Sequence, residues 1–404
     1  MGRAVYLVAG LLAALALTTG ASGAGSSTPG VTSTQIVIGG TIPLSGVASA
    51  YQTVGRGAAA YFRYVNAKGG VYHRKIVYLI KDDQYDPSQT INETRELVEQ
   101  DHVFAIFNSL GTEQNLATRP YLNAMGVPQL FVASGALTWG KDYAQWPWTI
   151  GYQPNYIAEG TIYGRYIAKT APKSRIGVLY QNDDYGNELL TGLKRGLGKK
   201  GKLIVSKQSY DATDSDVQSQ IAKLKAAKTN TMMLFATPQF AIQAYVYARK
   251  LGWRPKVYVN AVASASNIMG IASNATNKKQ TEGSISIVFL KDPTDPRWKK
   301  DPGIKLYRSI MKKYKGVHPN DVYNVYGMSV AHSFVEALKK AGKNPTRASI
   351  MKAVTHLNVH NDPFLLPGIA VRTSPTDHFP LDQARLERFH NGRWIAFGGL
   401  FRVR

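Results

Sequence analysis

Short runs of β-branched residues alternate with longer segments of helical hydrophobic spacing in the first part of the chain. Glycine, aspartate or another turn-forming residue closely follows each helical segment. This alternation predicts βα units that build a doubly wound α/β fold with a parallel sheet. The predicted strands span 36–39, 76–80, 103–107 and 127–131, and the predicted helices span 57–67, 87–101 and 112–123.

A second series of the same kind begins after the aromatic, proline-containing stretch 146–154. Its predicted helices span 157–169, 185–197, 217–226 and 240–250, and its predicted strands span 176–180, 203–206, 232–235 and 257–259. A strand at 285–289 then precedes helices at 304–314, 324–340 and 347–355. The middle helix has an apolar stripe, typical of a core-facing surface, at Val325, Met328, Ala331, Val335 and Leu338. The pattern therefore predicts two similar α/β units.

The amino-terminal segment has the pattern of a secretory signal. Arg3 supplies a positive charge, residues 5–17 form an apolar run, and residues 18–27 are mostly small. The run is shorter than the roughly 20 apolar residues that span a bilayer. We therefore predict a cleaved signal peptide at 1–24 and export to the periplasm.

Composition narrows the chemistry that the chain can perform. Its 404 residues are 44% hydrophobic and 19% charged, as in ordinary globular proteins, and they include no cysteine. Disulfides, thiolate metal sites and a lipid-modified cysteine are therefore excluded. A freely diffusing periplasmic monomer is favoured over a lipid-anchored protein.

The chain is strongly basic, with 49 Lys and Arg residues against 26 Asp and Glu residues and a formal charge of +23. Such a charge attracts anionic solutes, acidic lipid surfaces or nucleic acid. The basic residues are spread over many predicted helix faces, and no nucleic-acid-binding motif accompanies them. Solvated helix faces explain them best, and we expect no nucleic-acid partner.

Motifs for nucleotide binding and nucleophilic catalysis are missing or misplaced. Gly55, Gly57 and Ala60 fit a loose dinucleotide-binding pattern, but they lie well downstream of the strand that ends near Gly39. No Walker A sequence and no G-x-S-x-G elbow occurs in the chain.

None of these three polar pairs, one of histidines and two of aspartates, predicts a reactive centre. His356 and His360 are four residues apart, but no glutamate follows His356 and no third ligand is evident. The aspartate pairs at 82–83 and 183–184 each follow a predicted strand, where such residues serve as turn or helix caps. We therefore predict no catalytic residue, no metal site and no cofactor.

Small and hydroxyl residues follow two successive predicted strands. Gly111 and Thr112 follow the third strand, and Ala133, Ser134 and Gly135 follow the fourth. In an open α/β sheet, ligands bind in the crevice beyond the carboxyl ends of the strands. Free amides at helix amino ends favour carboxylates there. These residues predict a binding site, although each one alone is typical of a helix cap.

The mature chain resembles the periplasmic branched-chain amino-acid (Leu/Ile/Val) binding proteins, the type I substrate-binding proteins of ABC importers. The resemblance runs from about Ile36 into the final segment. Its strongest parts are IPLSG at 42–46, VNAKGGV at 65–71, KDDQYDP at 81–87, GVP at 126–128, LYQNDDYG at 179–186 and VYG at 325–327. Each segment is short, and their order and spacing together carry the specificity.

The resemblance implies two Rossmann-like lobes joined by a three-crossover hinge, the type I periplasmic binding protein fold. Lobe 1 would comprise 34–153 and 284–360, and lobe 2 would comprise 154–283 and 361–404. In this family the ligand lies between lobes that close over it, and the closed form is presented to a membrane permease. No reaction occurs on the binding protein, and ATP belongs to its partner.

The resemblance also implies roles for particular residues. Thr112 would place its hydroxyl on the ligand carboxylate, supported by Ala133, Ser134 and Gly135. Tyr51 matches a tyrosine of the first loop, and Tyr185 matches an aromatic residue that covers the ligand on closure. Tyr323 and Asn324 are further candidates for the pocket lining.

Two departures from the family pattern bear on the ligand. Thr237 stands where the amino-acid binders usually have tyrosine, and Asn260 lies in the segment where they carry a glutamate for the ligand ammonium. An ammonium buried without a carboxylate partner is costly. Either Glu113 or Asp321 substitutes for the missing glutamate, or the ligand is an aromatic or aliphatic acid without an ammonium.

We therefore interpret the chain as a periplasmic solute-binding protein that captures a small carboxylate-bearing ligand for an ABC importer. A ligand sensor of the same fold, which binds an aromatic or aliphatic acid or an amide, is the nearest alternative. An enzyme of unrecognised type is the alternative from a different class.

Overall fold

The computed structural model of the chain describes residues 28–314 and 318–402. The signal peptide predicted at 1–24 lies outside these residues. In the described parts of the chain, no helix has the length and apolar character needed to cross a membrane.

Lobe 1 is built on a five-stranded sheet whose neighbouring strands are all parallel. Its strands are β1 Gln35–Thr41, β2 Lys75–Lys81, β3 Ile106–Phe107, β4 Gln129–Val132 and β5 Thr149–Gly151, in the order β2-β1-β3-β4-β5. Strand β3 is shorter than the predicted 103–107, although the Phe104 amide donates to the Val37 carbonyl at 2.7 Å. The strand order reverses beside β1, and this reversal opens a crevice at the carboxyl ends of the strands.

Lobe 2 is built on a seven-stranded sheet in the order β14-β13-β10-β9-β8-β6-β7. The remaining strands are β6 Ile176–Gln181, β7 Ile204–Tyr210, β8 Thr231–Phe235, β9 Lys256–Val259, β10 Ile285–Val288, β11 Asn358–Val359, β12 Val371–Arg372, β13 Gln383–His390 and β14 Arg393–Arg402. Strands β6 to β10 are parallel, and the β13–β14 hairpin joins them antiparallel to β10. Strands β11 and β12 form a separate antiparallel pair.

The helices of the described residues cover the faces of the two sheets. They are α1 Gln52–Ala67, α2 Pro87–Glu99, α3 Thr112–Ala124, α4 Thr138–Lys141, α5 Tyr156–Thr170, α6 Asp184–Leu197, α7 Gln218–Ala226, α8 Pro238–Lys250, α9 Ser266–Ala275, α10 Lys278–Thr281, α11 Pro302–Lys313, α12 Val322–Ala341 and α13 Arg347–Val354. The helices predicted from hydrophobic spacing are all present, with ends shifted by a few residues.

Helices α1 and α12 approach each other closely because glycine lies at their contact. A Cβ atom on Gly57 would lie 2.4 Å from the Asn324 carbonyl oxygen, and one on Gly327 would lie 2.0 Å from the Val54 carbonyl oxygen. Gly57 is thus an interior residue of α1 that permits helix packing, whereas a Cβ atom on Gly55, also inside α1, would meet the Ile42 and Ile80 side chains at 3.1 Å. Their position agrees with the rejection of a dinucleotide-binding turn. The contact holds the amino ends of both helices side by side.

The chain crosses between the lobes three times: between β5 and α5, after β10, and before β13. The lobe boundary predicted at 284 is wrong, because β10 pairs with β9 and β13 and therefore belongs to lobe 2. The boundary predicted at 361 is also too early. Phe364, Leu365 and Val371 pack into the core of lobe 1, so the last crossing comes after them.

Candidate ligand-binding cleft

A cleft lies between the two lobes, at the carboxyl ends of the parallel strands. It holds about 1040 Å³ of empty space, counted with its open mouth. Both lobes and two of the crossings line it, and the hinge contributes Gln153, Pro154, Phe289 and Leu290.

The structure places most of the predicted site residues on this cleft. The lining includes Tyr51, Gly111, Thr112, Ala133, Tyr185, Thr237 and Tyr323. Ser134, Gly135, Asn260 and Asn324 lie just behind the lining. The Gly135 carbonyl accepts from the Tyr156 amide at 2.7 Å. The Asn324 side-chain amide donates to the His318 carbonyl at 3.0 Å, which ties the first turn of α12 to the loop before it.

A pair of buried hydroxyls marks the lobe 1 wall. Thr112 is the first residue of α3, and its Oγ1 lies 2.7 Å from the Ser134 Oγ, which follows β4. Gly111 precedes the helix with a φ of 110°, a conformation that favours glycine, and no side chain caps the helix there. The amino end of α3 and Thr112 therefore border the cleft, with the Ser134 hydroxyl directly behind Thr112. Both features suit a carboxylate.

Two tyrosines of lobe 1 reach across the cleft to one carbonyl of lobe 2. The Tyr51 hydroxyl donates to the Val262 carbonyl at 3.0 Å, and the Tyr323 hydroxyl donates to the same oxygen at 2.7 Å. Their rings meet edge to face, with centroids 5.3 Å apart. Burial raises the pKa of each tyrosine well above its usual value, so both hydroxyls stay protonated. These bonds hold the lobes in a closed arrangement.

Tyr185 is held in place on the lobe 2 wall by Asn260. The Asn260 amide nitrogen reaches the carbonyls of Leu234 at 2.9 Å and Ala236 at 3.1 Å, which leaves its oxygen to accept from the Tyr185 hydroxyl at 2.8 Å. The Tyr185 ring also packs edge to face on Tyr156, with centroids 5.0 Å apart. Asn260 is therefore fully hydrogen-bonded and positions the aromatic ring.

Sequence reasoning missed two buried carboxyl groups that line the lobe 2 wall. Glu159 lies in the first turn of α5 and is 2% exposed, and Glu387 lies on β13 and is 6% exposed. The Glu159 Oε1 accepts from the Ala261 amide and the Tyr163 hydroxyl, each at 2.7 Å. Desolvation raises the pKa of Glu159 to about 7. The alternation of Ala384, Leu386 and their polar neighbours was a signal for strand β13, although it did not reveal the burial of Glu387.

The two acids suggested as substitutes for the family glutamate are engaged elsewhere. Asp321 caps α12: its Oδ1 accepts from the Tyr323 amide at 2.9 Å, and its Oδ2 accepts from the Thr53 hydroxyl at 2.9 Å. Glu113 accepts from the Asp184 amide at 3.1 Å, at the start of α6 in the other lobe. Neither side chain lines the cleft.

The other polar pairs have structural roles, as the sequence indicated. Asp82 accepts from the Leu44 amide at 2.8 Å, and Asp183 caps α6 through the Gly186 amide at 3.0 Å. The His356 ring contacts the Lys352 carbonyl, whereas His360 contacts Arg372. No cluster of three metal-ligating side chains is found within residues 28–314 and 318–402.

Comparison with known proteins agrees with this architecture. A family model described as periplasmic binding protein matches residues 35–392, and the chain belongs to that family. The Leu/Ile/Val-binding protein homolog 7 of Brucella abortus (strain 2308) is 24% identical over 342 residues, which cover 81% of this chain and 82% of that protein. The predicted resemblance to the branched-chain amino-acid binding proteins is thereby confirmed.

Solved structures share the fold over almost the whole chain. A branched chain amino acid ABC transporter from Thermus thermophilus with bound valine has a TM-score of 0.81 at 18% identity, covering 92% of this chain and 97% of that chain. A fatty acid ABC transporter substrate-binding protein from Thermomonospora curvata has a TM-score of 0.76 at 20% identity, covering 93% and 94%. The predicted two-lobed type I periplasmic binding protein fold is confirmed.

Proposed function

We propose that this protein captures a small carboxylate-bearing molecule between its lobes and delivers it to the permease of an ABC importer. The observation that carries the proposal is the closed cleft with the Thr112–Ser134 hydroxyl pair and the amino end of α3 on one wall. Tyr51 and Tyr323 would close the cleft over the bound molecule through Val262. The basic charge of the protein would attract an acid.

The similar proteins of known structure support a carboxylate more strongly than any one ligand. One holds valine, and another is named for fatty acids. These compounds share a carboxylate and differ in whether they have an ammonium. The carboxylate is therefore the feature that we assign to the ligand of this chain.

We assign no catalytic step to the protein. The aspartates in and beside the cleft are held by hydrogen bonds, since Asp183 caps α6, Asp321 caps α12 and Asp292 accepts from the Thr294 amide at 2.7 Å. The residues that line the cleft bind, cover and exclude water, which suits capture and release by hinge motion. We also infer that residues 1–24 are removed on export to the periplasm.

A thermal-unfolding screen of the mature protein tests this proposal. The protein is refolded first to remove any molecule carried through purification, and acids are compared with their uncharged amides. A ligand at about a thousand times its Kd stabilises the native state by roughly 4 kcal/mol, which moves the Tm by several degrees. We expect shifts with carboxylates and none with the matching amides. Equal shifts with both, or none with any acid, would contradict the proposal.

A further inference from the structure

Glu387 is the buried acid of the cleft for which the described part of the chain supplies no hydrogen-bonding partner. It lies on β13, opposite Ser286 of β10, is 6% exposed and lines the cleft. Its carboxyl group makes no hydrogen bond and no ion pair with the described residues 28–314 and 318–402. A buried, unpartnered carboxylate is costly, because it loses water and gains nothing in exchange.

Glu159 is a buried acid of the same wall that has a structural role. Its Oε1 accepts two hydrogen bonds of 2.7 Å, from the Ala261 amide and the Tyr163 hydroxyl. Those bonds fix the turn that follows β9 and explain why an acid is tolerated there. Glu387 has no such structural role, so its contribution to the fold does not explain its presence.

The groups near Glu387 make the site more negative. Asp292, which also lines the cleft, accepts from the Thr294 amide at 2.7 Å and from the Ser266 hydroxyl. Loss of solvent and, after it, the charge of Asp292 raise the pKa of Glu387 well above the usual range. A ligand cation would relieve both effects.

Arg297, the cation that acts on Glu387, already forms an ion pair with Asp295. Arg297 is part of the local electrostatic environment, but its Nε donates to Asp295 at 2.7 Å, and its side chain is 48% exposed. Asp295 and Arg297 therefore neutralise each other, which leaves the carboxyl groups of Glu387 and Asp292 without that cation. In a protein with a net charge of +23, this end of the cleft is an acidic pocket.

We propose that Glu387 accepts a positively charged nitrogen of the ligand, so that the captured molecule is a zwitterion. Its carboxylate lies at the Thr112–Ser134 wall, and its ammonium or amidinium lies at Glu387. This inference rests on the proposed function, because it names the second charged group of the same ligand. The position is on β13, away from the Asn260 segment where the resembling amino-acid binders carry their glutamate.

Calorimetric titration with matched ligand pairs tests the inference. The pairs are leucine and 4-methylpentanoate, 4-aminobutanoate and butanoate, and 6-aminohexanoate and hexanoate, each titrated into wild type, Glu387→Gln and Glu336→Gln. Glu336 is a partly exposed acid of α12 outside the cleft lining and controls for the loss of one charge. For at least one pair, wild type and Glu336→Gln should bind the amino member about tenfold or more tightly than its partner.

Glu387→Gln should lose that preference and bind the simple acid as well as wild type does. Glu387→Asp, which keeps the charge, should retain part of the preference. Equal binding within every pair by wild type, or an unchanged preference in Glu387→Gln, would overturn the inference and leave the proposed function standing. Failure of wild type to bind any of these carboxylates would contradict both. The wild-type comparison decides the matter even where a variant does not fold.

Discussion

The two walls of the cleft differ in how well their polar groups are paired in the absence of ligand. On lobe 1, Thr112 and Ser134 are neutral and 2.7 Å apart, so each hydroxyl is satisfied before a ligand arrives. On lobe 2, Glu159 and Glu387 are carboxyl groups whose burial raises their pKa. Without ligand, the hydroxyls of the first wall are paired with each other, whereas the buried carboxyl groups of the second wall lower the stability of the fold. The comparison indicates that lobe 1 pre-forms its site and that lobe 2 depends more on what it binds.

The largest expected effect follows from removing the lobe 1 hydroxyls. The double variant Thr112→Val with Ser134→Ala should weaken binding of carboxylate ligands about a hundredfold, since two hydrogen bonds to a charged group are lost. Both partners of the Thr112–Ser134 bond are removed together, whereas the Ala136 amide loses the Ser134 oxygen at 3.2 Å, so the Tm of the variant is measured alongside its binding. Titration calorimetry measures the effect, with Thr170→Val at the exposed end of α5 as the control. A loss below about threefold would remove lobe 1 from carboxylate recognition.

The cost of the lobe 2 wall should appear as a dependence of stability on pH. Glu159 has a pKa of about 7 in the folded protein, against an ordinary value of 4.5. Its raised pKa stabilises the fold below pH 4.5, and this contribution is lost as the pH rises through about 7. The change is on the order of 3 kcal/mol in the free energy of unfolding.

The variant Glu159→Gln tests this dependence, because glutamine keeps an oxygen for the Ala261 amide and the Tyr163 hydroxyl. Urea unfolding of the ligand-free protein should show a smaller fall in stability between pH 5 and pH 8 for this variant than for wild type. Asp83 and Glu188 also have raised pKa values, so part of the fall should remain. Glu336→Gln should follow wild type. If the unfolding free energy of Glu159→Gln falls with pH as steeply as that of wild type, the Glu159 carboxylate does not destabilise the fold.

The smallest expected effect concerns the contact that joins the two walls. Tyr323→Phe removes the 2.7 Å bond to the Val262 carbonyl and leaves the bond from Tyr51. Affinity should fall about three- to tenfold, mainly through faster ligand release, because one neutral hydrogen bond of the closed form is lost. Stopped-flow release measures it. Tyr72→Phe is the control, since its hydroxyl also donates to a carbonyl at 2.7 Å but lies outside the cleft lining. A similar effect in both variants would exclude a specific role in closure.

The sequence predicts the scaffold well because its signals are local. Hydrophobic spacing finds β1, α1 and α12, and short segments such as IPLSG at 42–46 identify the family. The β13–β14 hairpin was missed because its alternation includes charged residues, such as Arg385 and Arg388 of β13, which lies between β10 and the edge strand β14. The lobe boundary at 284 was misplaced for a related reason, since β10 joins lobe 2 by pairing with that hairpin.

The site was harder to predict where it depends on distant contacts. Thr112 and Ser134 were found because both follow strands, which brings them to the same edge of a sheet. Glu159 was within a predicted helix, but its partner Ala261 is 102 residues away, so its burial had no local signal. The burial of Glu387 also had no local signal, because the surroundings of this strand residue come from other parts of the chain.

The most decisive experiment is a crystal structure of the mature protein with the tightest-binding carboxylate from the unfolding screen. We expect the molecule to lie between the closed lobes, with its carboxylate within hydrogen-bonding distance of Thr112 and Ser134. A charged nitrogen, where the molecule has one, should contact Glu387. A molecule bound outside the cleft, or one whose carboxylate contacts neither hydroxyl, would contradict the account.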